Sequence, residues 1–174
     1  NISPSTVGGL RGNKNTMWEG GLRVPAIIEW PESIASGITK YPASTMDIFP
    51  TILEIVGLYP SNKYSNLDGK SITNLFEVNK HKRTLKIPFR FDNRGALIDN
   101  NIKLIAHDIE KLEFELYDLS NDPTESIDIS KSNSQVFELM KNEFMIWNNS
   151  VDREVNAMKF NHPQHWVIIE NYIK

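Results

Sequence analysis

Apolar and polar positions change rhythm twice along this chain. Val24-Pro25-Ala26-Ile27-Ile28-Glu29-Trp30-Pro31 is a nearly continuous apolar run between prolines, the pattern of a short strand covered on both faces. From Asp47 the period lengthens to that of a helix. Ile48, Ile52, Leu53, Ile55 and Val56 supply a broad apolar face, Asp47 is placed as N-cap, Pro50 lies in the first turn and Gly57 ends the element. From Leu85 the period shortens again. Leu85 to Phe91, Ala96 to Asp99, Ile102 to His107 and Phe114 to Asp118 predict four short strands, with Asn100-Asn101 as a two-residue hairpin turn, hence an antiparallel sheet. After the turn at Asn121-Asp122-Pro123, Ser132 and Gln135 offer a capping box. The helix that follows carries Val136, Leu139, Met140, Phe144, Trp147, Val151 and Val155 on one stripe that packs on the sheet. Glu32 to Tyr41 and Tyr59 to Tyr64 read as connectors, Leu67 to Ser71 as a turn before a helical turn around Leu75, and the tail from His162 as a last short element.

The stretch dense enough to carry chemistry is Gly8 to Pro25, GGLRGNKNTMWEGGLRVP. It joins glycines to Arg11, Lys14 and Arg23, with Glu19 as its single acid, and runs straight into the apolar strand. Glycines let backbone N–H groups converge on an anion, and a lysine adds a mobile point charge. It is not a nucleotide P-loop: Gly12-Asn13-Lys14 lacks the adjacent Gly-Lys-Ser/Thr, and a strand follows where a helix is required.

Composition narrows the field. A length of 174 residues suffices for one ordinary domain, and the net charge of −3 provides no basic field for nucleic acid. The absence of cysteine removes disulfides, thiolate metal sites and a cysteine nucleophile from these residues, and no apolar run approaches the roughly 18 residues of a membrane span. A start at Asn1 without methionine, with a motif inside the first ten residues, reads as a C-terminal fragment. His162 and His165 form an H-x-x-H without a third ligand and read as exposed. His81 falls in the basic run Lys80-His81-Lys82-Arg83, read as a solvated loop. His107, at a strand end, faces either a substrate cleft or nothing. Trp18, Trp30 and Trp147 read as core or loop anchors. The sequons at Asn1 and Asn148 read as chance.

Taken in order, these motifs resemble the C-terminal part of a type I sulfatase, the formylglycine-dependent family of the alkaline phosphatase-like superfamily. Leu10-Arg11-Gly12-Asn13-Lys14 through Glu19-Gly20-Gly21-Leu22-Arg23-Val24-Pro25 resembles its LRGGKGTxxEGGxRVP stretch, and Ile28-Glu29-Trp30-Pro31 its strand ending in WP. Asp47-Ile48-Phe49-Pro50-Thr51-Ile52-Leu53 resembles DLxPTLLxLAG, and Leu67-Asp68-Gly69-Lys70-Ser71 resembles LDGxSL. Ile102-Lys103-Leu104-Ile105, then Glu115-Leu116-Tyr117-Asp118-Leu119 and Asn121-Asp122-Pro123-Thr124-Glu125, resemble WKLI and ELYDLxxDPxE.

The resemblance implies an α/β fold: the end of the superfamily's mixed sheet over residues 1–80, then a small subdomain over 81–174 in which a four-stranded antiparallel sheet packs on a long helix. It implies hydrolysis of sulfate esters of aryl or carbohydrate compounds, with a sulfated small molecule or polysaccharide as partner, in a periplasmic, secreted or lysosomal setting. It further implies a calcium ion and a formylglycine nucleophile, both supplied mostly from outside these residues. Lys14 matches the family's sulfate-contacting lysine. Arg11 either flanks the anion or bonds backbone in a turn, while Glu19 and Arg23 orient the loop through buried pairing. Two rivals stand: a phosphoric ester hydrolase or transferase of the same superfamily, and a catalytically inert remnant or carbohydrate-binding module.

Overall fold

The computed structural model describes residues 7–58, 67–76 and 82–161, with side chains to residue 155. Its centre is a sheet of four strands in sequential order, β1 (Ile87–Phe91), β2 (Arg94–Asp99), β3 (Ile102–Asp108) and β4 (Glu113–Asp118), each antiparallel to the next. The expected strands are all present. Asn100 takes φ +53 in the hairpin between β2 and β3, a conformation that asparagine tolerates better than most residues.

Side-chain parity divides the sheet into two packed faces. Leu97, Leu104, Ala106 and Leu116 face the long helix α3 (Ser134–Asn161) and close on Met140 and Phe144. Contact is close: a Cβ at Gly95 would stand 2.4 Å from the Phe144 ring. The alternate residues Ala96, Ile105 and Tyr117 face the other way and pack against Met17 and Trp18 of the glycine-rich segment. The sheet is therefore a partition between α3 and the loop of interest, apolar on both sides at its centre.

Two details of α3 differ from expectation. It begins at Ser134, so Asn133, whose carbonyl accepts from Phe137 N–H, occupies the cap position. The Ser132 hydroxyl instead donates to the Ile129 carbonyl, and no capping box forms there. Leu139 turns outward, 55% exposed, because the stripe facing the sheet runs through Val136, Met140, Phe144 and Trp147. Asn148 is buried within this helix, which excludes its sequon as a glycosylation site in the folded chain.

Before the sheet lie two short helices, α1 (Glu19–Leu22) and α2 (Ile48–Ile55). Gly57, at φ +73, ends α2 in a Schellman arrangement: Leu58 N–H donates to the Leu53 carbonyl and Gly57 N–H to that of Glu54. Asp47 precedes α2 but makes no side-chain cap. Its carboxylate accepts from both terminal guanidinium nitrogens of Arg83, at 2.7 and 2.9 Å, together with the N–H groups of Ser44 and Lys70. Arg83 is thus the buried member of a basic run expected to be solvated, and the Asn100 amide clasps its backbone from both sides.

The expected strand at 24–31 does not form. Val24 to Trp30 is irregular and exposed, Ile27 at 94%, since none of the described residues offers it a hydrogen-bonded neighbour. The apolar face of α2 is likewise open through Ile48, Ile52, Ile55 and Val56; only Pro50, Thr51 and Leu53 are buried. Trp30, read as an anchor, is 42% exposed. The readings at Asn1, Tyr59–Tyr64, His81 and His162–Lys174 lie outside the described residues.

Candidate active-site loop

The segment from Leu10 to Arg23 is wound tightly on itself. Thr16 N–H donates to the Asn13 carbonyl, closing a turn with Lys14 at its second position and Asn15 at φ +74 at its third. The Thr16 hydroxyl locks the turn by donating to Asn13 O at 2.7 Å and accepting from Asn13 N–H. From outside, the Arg94 guanidinium holds the Asn15 carbonyl at 3.1 Å. Gly20 N–H then returns to the Arg11 carbonyl at 2.8 Å, so that two backbone passes touch. That approach needs glycine. A Cβ at Gly20 would stand 2.6 Å from Arg11 O, and one at Gly21 2.2 Å from Thr16 O.

What fastens the loop to the sheet is a buried ionic triad. Lys103, in the middle of β3 and without solvent exposure, directs Nζ to Glu19 Oε1 at 2.9 Å and Glu125 Oε1 at 2.7 Å. The second oxygen of Glu125 accepts the Glu19 N–H at 2.6 Å, capping the first turn of α1. Glu125 sits in the left-handed region, at φ +54, a costly conformation for a side-chain-bearing residue. Asp122 holds it there by accepting from the N–H groups of Ser126 and Ile127. Burial pushes the Glu125 carboxyl above the usual range, and the Glu19 N–H and Lys103 only partly offset this.

The residues singled out from sequence occupy distinct places in this arrangement. Lys14 is exposed at the tip of the turn, and among the described residues its ammonium has no partner. Arg11 lays its guanidinium 3.6 Å over the Trp18 ring and donates to the Glu125 carbonyl at 2.5 Å. Glu19 is buried, but its partner is Lys103, not Arg23. Arg23 is exposed, and among the described residues its one hydrogen bond is from its backbone N–H to the Glu19 carbonyl. His107 faces the loop side of the sheet, its ring 5.1 Å from that of Trp18 and its Nε2 2.5 Å from Glu115 Oε2. The same carboxylate oxygen accepts from the Tyr117 hydroxyl, which burial and this partner push to higher pKa.

Lys103 and Glu125 escaped the sequence reading. The only available signal was parity: position 103 shares a face with Ile105, so its charge must be buried if that face is covered. Among the described residues no group of three or more His, Cys, Asp or Glu side chains is placed to hold a metal ion, and no helix is long and apolar enough to cross a membrane. These described residues therefore do not by themselves fit a calcium site.

Chemically, the arrangement is a cation on a short, hydrogen-bonded turn, pinned at its base by a triad on the loop side of the sheet. It can present positive charge to an anion from a backbone that is held in place. Comparison with known proteins identifies the family. Residues 12–149 match the family model described as N-sulphoglucosamine sulphohydrolase, C-terminal. A sulfatase of Formosa agariphila is 33% identical over 168 residues, covering 84% of this chain and 30% of that protein. Rat arylsulfatase G is 30% identical over 150 residues, covering 73% of this chain and 28% of that protein. The crystal structure of Ps i-CgsB in complex with k-i-k-neocarrahexaose superposes with a TM-score of 0.68 at 25% identity, over 86% of this chain and 37% of that one. The chain thus spans about a third of the length of these relatives. With most of its length matched by the family model, the chain belongs to the sulfatases and corresponds to their C-terminal part.

Proposed function

We propose that the polypeptide carrying these residues hydrolyses sulfate esters of carbohydrates, with Lys14 as the sulfate contact. The observation that carries this is the placement of Lys14: a partnerless ammonium, among the described residues, at the tip of a turn held by Thr16 and Arg94 and anchored by the buried triad. As the S–O bond breaks, negative charge grows on the leaving oxygen and persists on the sulfuryl oxygens. A cation held close to them by an anchored backbone lowers the barrier. Arg11, Glu19 and Arg23 act on loop shape in this reading. Sulfated carbohydrate is favoured as substrate class because the similar Ps i-CgsB was solved with an oligosaccharide. The calcium ion and formylglycine implied by the resemblance belong to the same proposal, as contributions of the polypeptide outside these residues.

Turnover of a sulfated oligosaccharide and of an aryl sulfate by the complete polypeptide, with Lys14 or with Lys14→Ala, tests the reading. The expected loss is about 10²–10³-fold in kcat for both substrates, the size seen when one preorganised donor is removed. Retained turnover in Lys14→Ala would exclude this role, and turnover of phosphate esters but not sulfate esters would favour a phosphoric ester hydrolase.

A further inference from the structure

One polar cluster on the loop side of the sheet is not used by the triad or by Lys14. His107 is the bulged residue of β3: Ala106 pairs with Phe114 and Asp108 with Glu113, leaving position 107 without a partner in the register. Bulges re-aim side chains, and they are over-represented beside active sites. About a third of the His107 side chain remains exposed. Its Nε2 is committed to Glu115 Oε2, an acceptor that already takes a hydrogen bond from the Tyr117 hydroxyl. A carboxylate can only accept, so Nε2 carries the hydrogen, and in the neutral ring Nδ1 is left as a lone-pair acceptor. Among the described residues Nδ1 has no partner.

Two residues link this location to the loop that carries Lys14. Gly95 pairs with Ala106, so Arg94, which grips the Asn15 carbonyl next to Lys14, stands at the position opposite His107 on the neighbouring strand, one step beyond that pair. Trp18 bridges the two. Its ring packs against His107, and its Cβ lies 2.7 Å from where a Cβ on Gly12 would project, under the turn.

We propose that His107 is a substrate-contacting residue of the Lys14 site, accepting through Nδ1 a hydrogen bond from a hydroxyl of the carbohydrate that bears the sulfate. The inference rests on the sulfatase reading above. An imidazole acceptor cannot bond the sulfate oxygens, which are themselves acceptors, but it pairs with the hydroxyls that surround an ester on a sugar. Lys14 thus selects the anion, while His107 selects the alcohol.

The test compares His107→Gln with the parent enzyme on two substrates. For a sulfated oligosaccharide, KM should rise by about 3–10-fold, the worth of one neutral hydrogen bond, with kcat nearly unchanged. For an aryl sulfate without hydroxyls, neither constant should move. A merely structural role would lower both substrates' kcat/KM together, and that result, or no change with either, overturns the proposal. A readout independent of activity is the His107 ring resonance on titration with the desulfated oligosaccharide: a saturable shift supports the contact, and no shift up to millimolar concentration refutes it. If Lys14→Ala leaves turnover intact while this shift is seen, the sulfate-contact reading fails and the His107 contact survives.

Discussion

Lys103 and Glu19, 84 residues apart in sequence, meet at 2.9 Å in a buried ion pair joining the central strand of the sheet to the base of the glycine-rich loop. Glu125 completes the pair from the turn after β4. Replacing Lys103 by Met would leave two carboxylates facing each other out of water. We expect a loss of about 3–5 kcal/mol in unfolding free energy, the usual consequence of stranding buried charge. Urea denaturation measures it, and a loss below 1 kcal/mol would mean that water reaches the triad.

Glu125 provides a more discriminating test. Its carboxyl is raised, chiefly by burial, so the folded state holds the proton more tightly than the unfolded chain does. The contribution of this group to stability therefore falls as pH rises from the ordinary glutamate range, about 4.3, through the raised value. Glu125→Gln keeps an acceptor for the Glu19 N–H and removes the titration, so its stability should lose this downward slope. Glu125→Ala removes the acceptor as well and should cost about 1–3 kcal/mol near neutrality. Unfolding curves of the three proteins between pH 4 and 8 separate the effects. A parallel pH dependence for wild type and Glu125→Gln would show that Glu125 does not titrate in this window.

The loop invites a contrast between two of its residues. Lys14 is exposed with no partner among the described residues, so Lys14→Ala should leave stability within about 0.5 kcal/mol while lowering kcat by about 10²–10³-fold. Gly21→Ala should do the opposite in kind. Its Cβ would press on the carbonyl oxygens of Thr16 and Asn13, at 2.2 and 2.6 Å, and backbone cannot step aside as a side chain tip can. A destabilisation of about 1–3 kcal/mol is expected, with activity falling as the turn shifts. Thermal unfolding of the two variants beside their turnover distinguishes charge from shape.

The same residues show what the sequence can and cannot disclose. The four strands were legible because their apolar positions alternate, and α3 because Met140 and Phe144 fall four apart. Gly57 was legible because few residues other than glycine take φ +73 at a helix end. Lys103, Glu125 and Arg83 were not. A charged residue reads as solvent-facing unless its opposite is known, and each of these finds its partner at a distance in sequence that no local pattern reports. Val24 to Trp30 was misjudged for the complementary reason. Its composition records a strand's preference for burial, but a strand also needs neighbours, and none of the described residues supplies them. For the candidate site, sequence supplied Lys14 through motif order, whereas the support beneath it required the fold.

The Asp47–Arg83 pair yields a pH dependence of opposite sign to that of Glu125. Burial alone would raise the Asp47 carboxyl, but the Arg83 guanidinium and the N–H groups of Lys70 and Ser44 outweigh it and hold the group below the usual carboxylate range. A depressed carboxyl contributes stability that is fully present above its unfolded value, about 3.9, and lost as pH falls through the lower folded value. Arg83 stays charged throughout, so acid strands a buried guanidinium. Asp47→Asn would do so at every pH. It should cost about 3–5 kcal/mol near neutrality and abolish the acid-dependent part of the loss. Because Arg83 is held by Asn100 at the β2–β3 hairpin, the damage should extend to the sheet. Hydrogen exchange of β2 and β3 amides in Asp47→Asn, against urea unfolding from pH 7 to pH 2, reads both consequences. Unchanged protection in β2 and β3 would show that the α2 region and the sheet are stabilised independently.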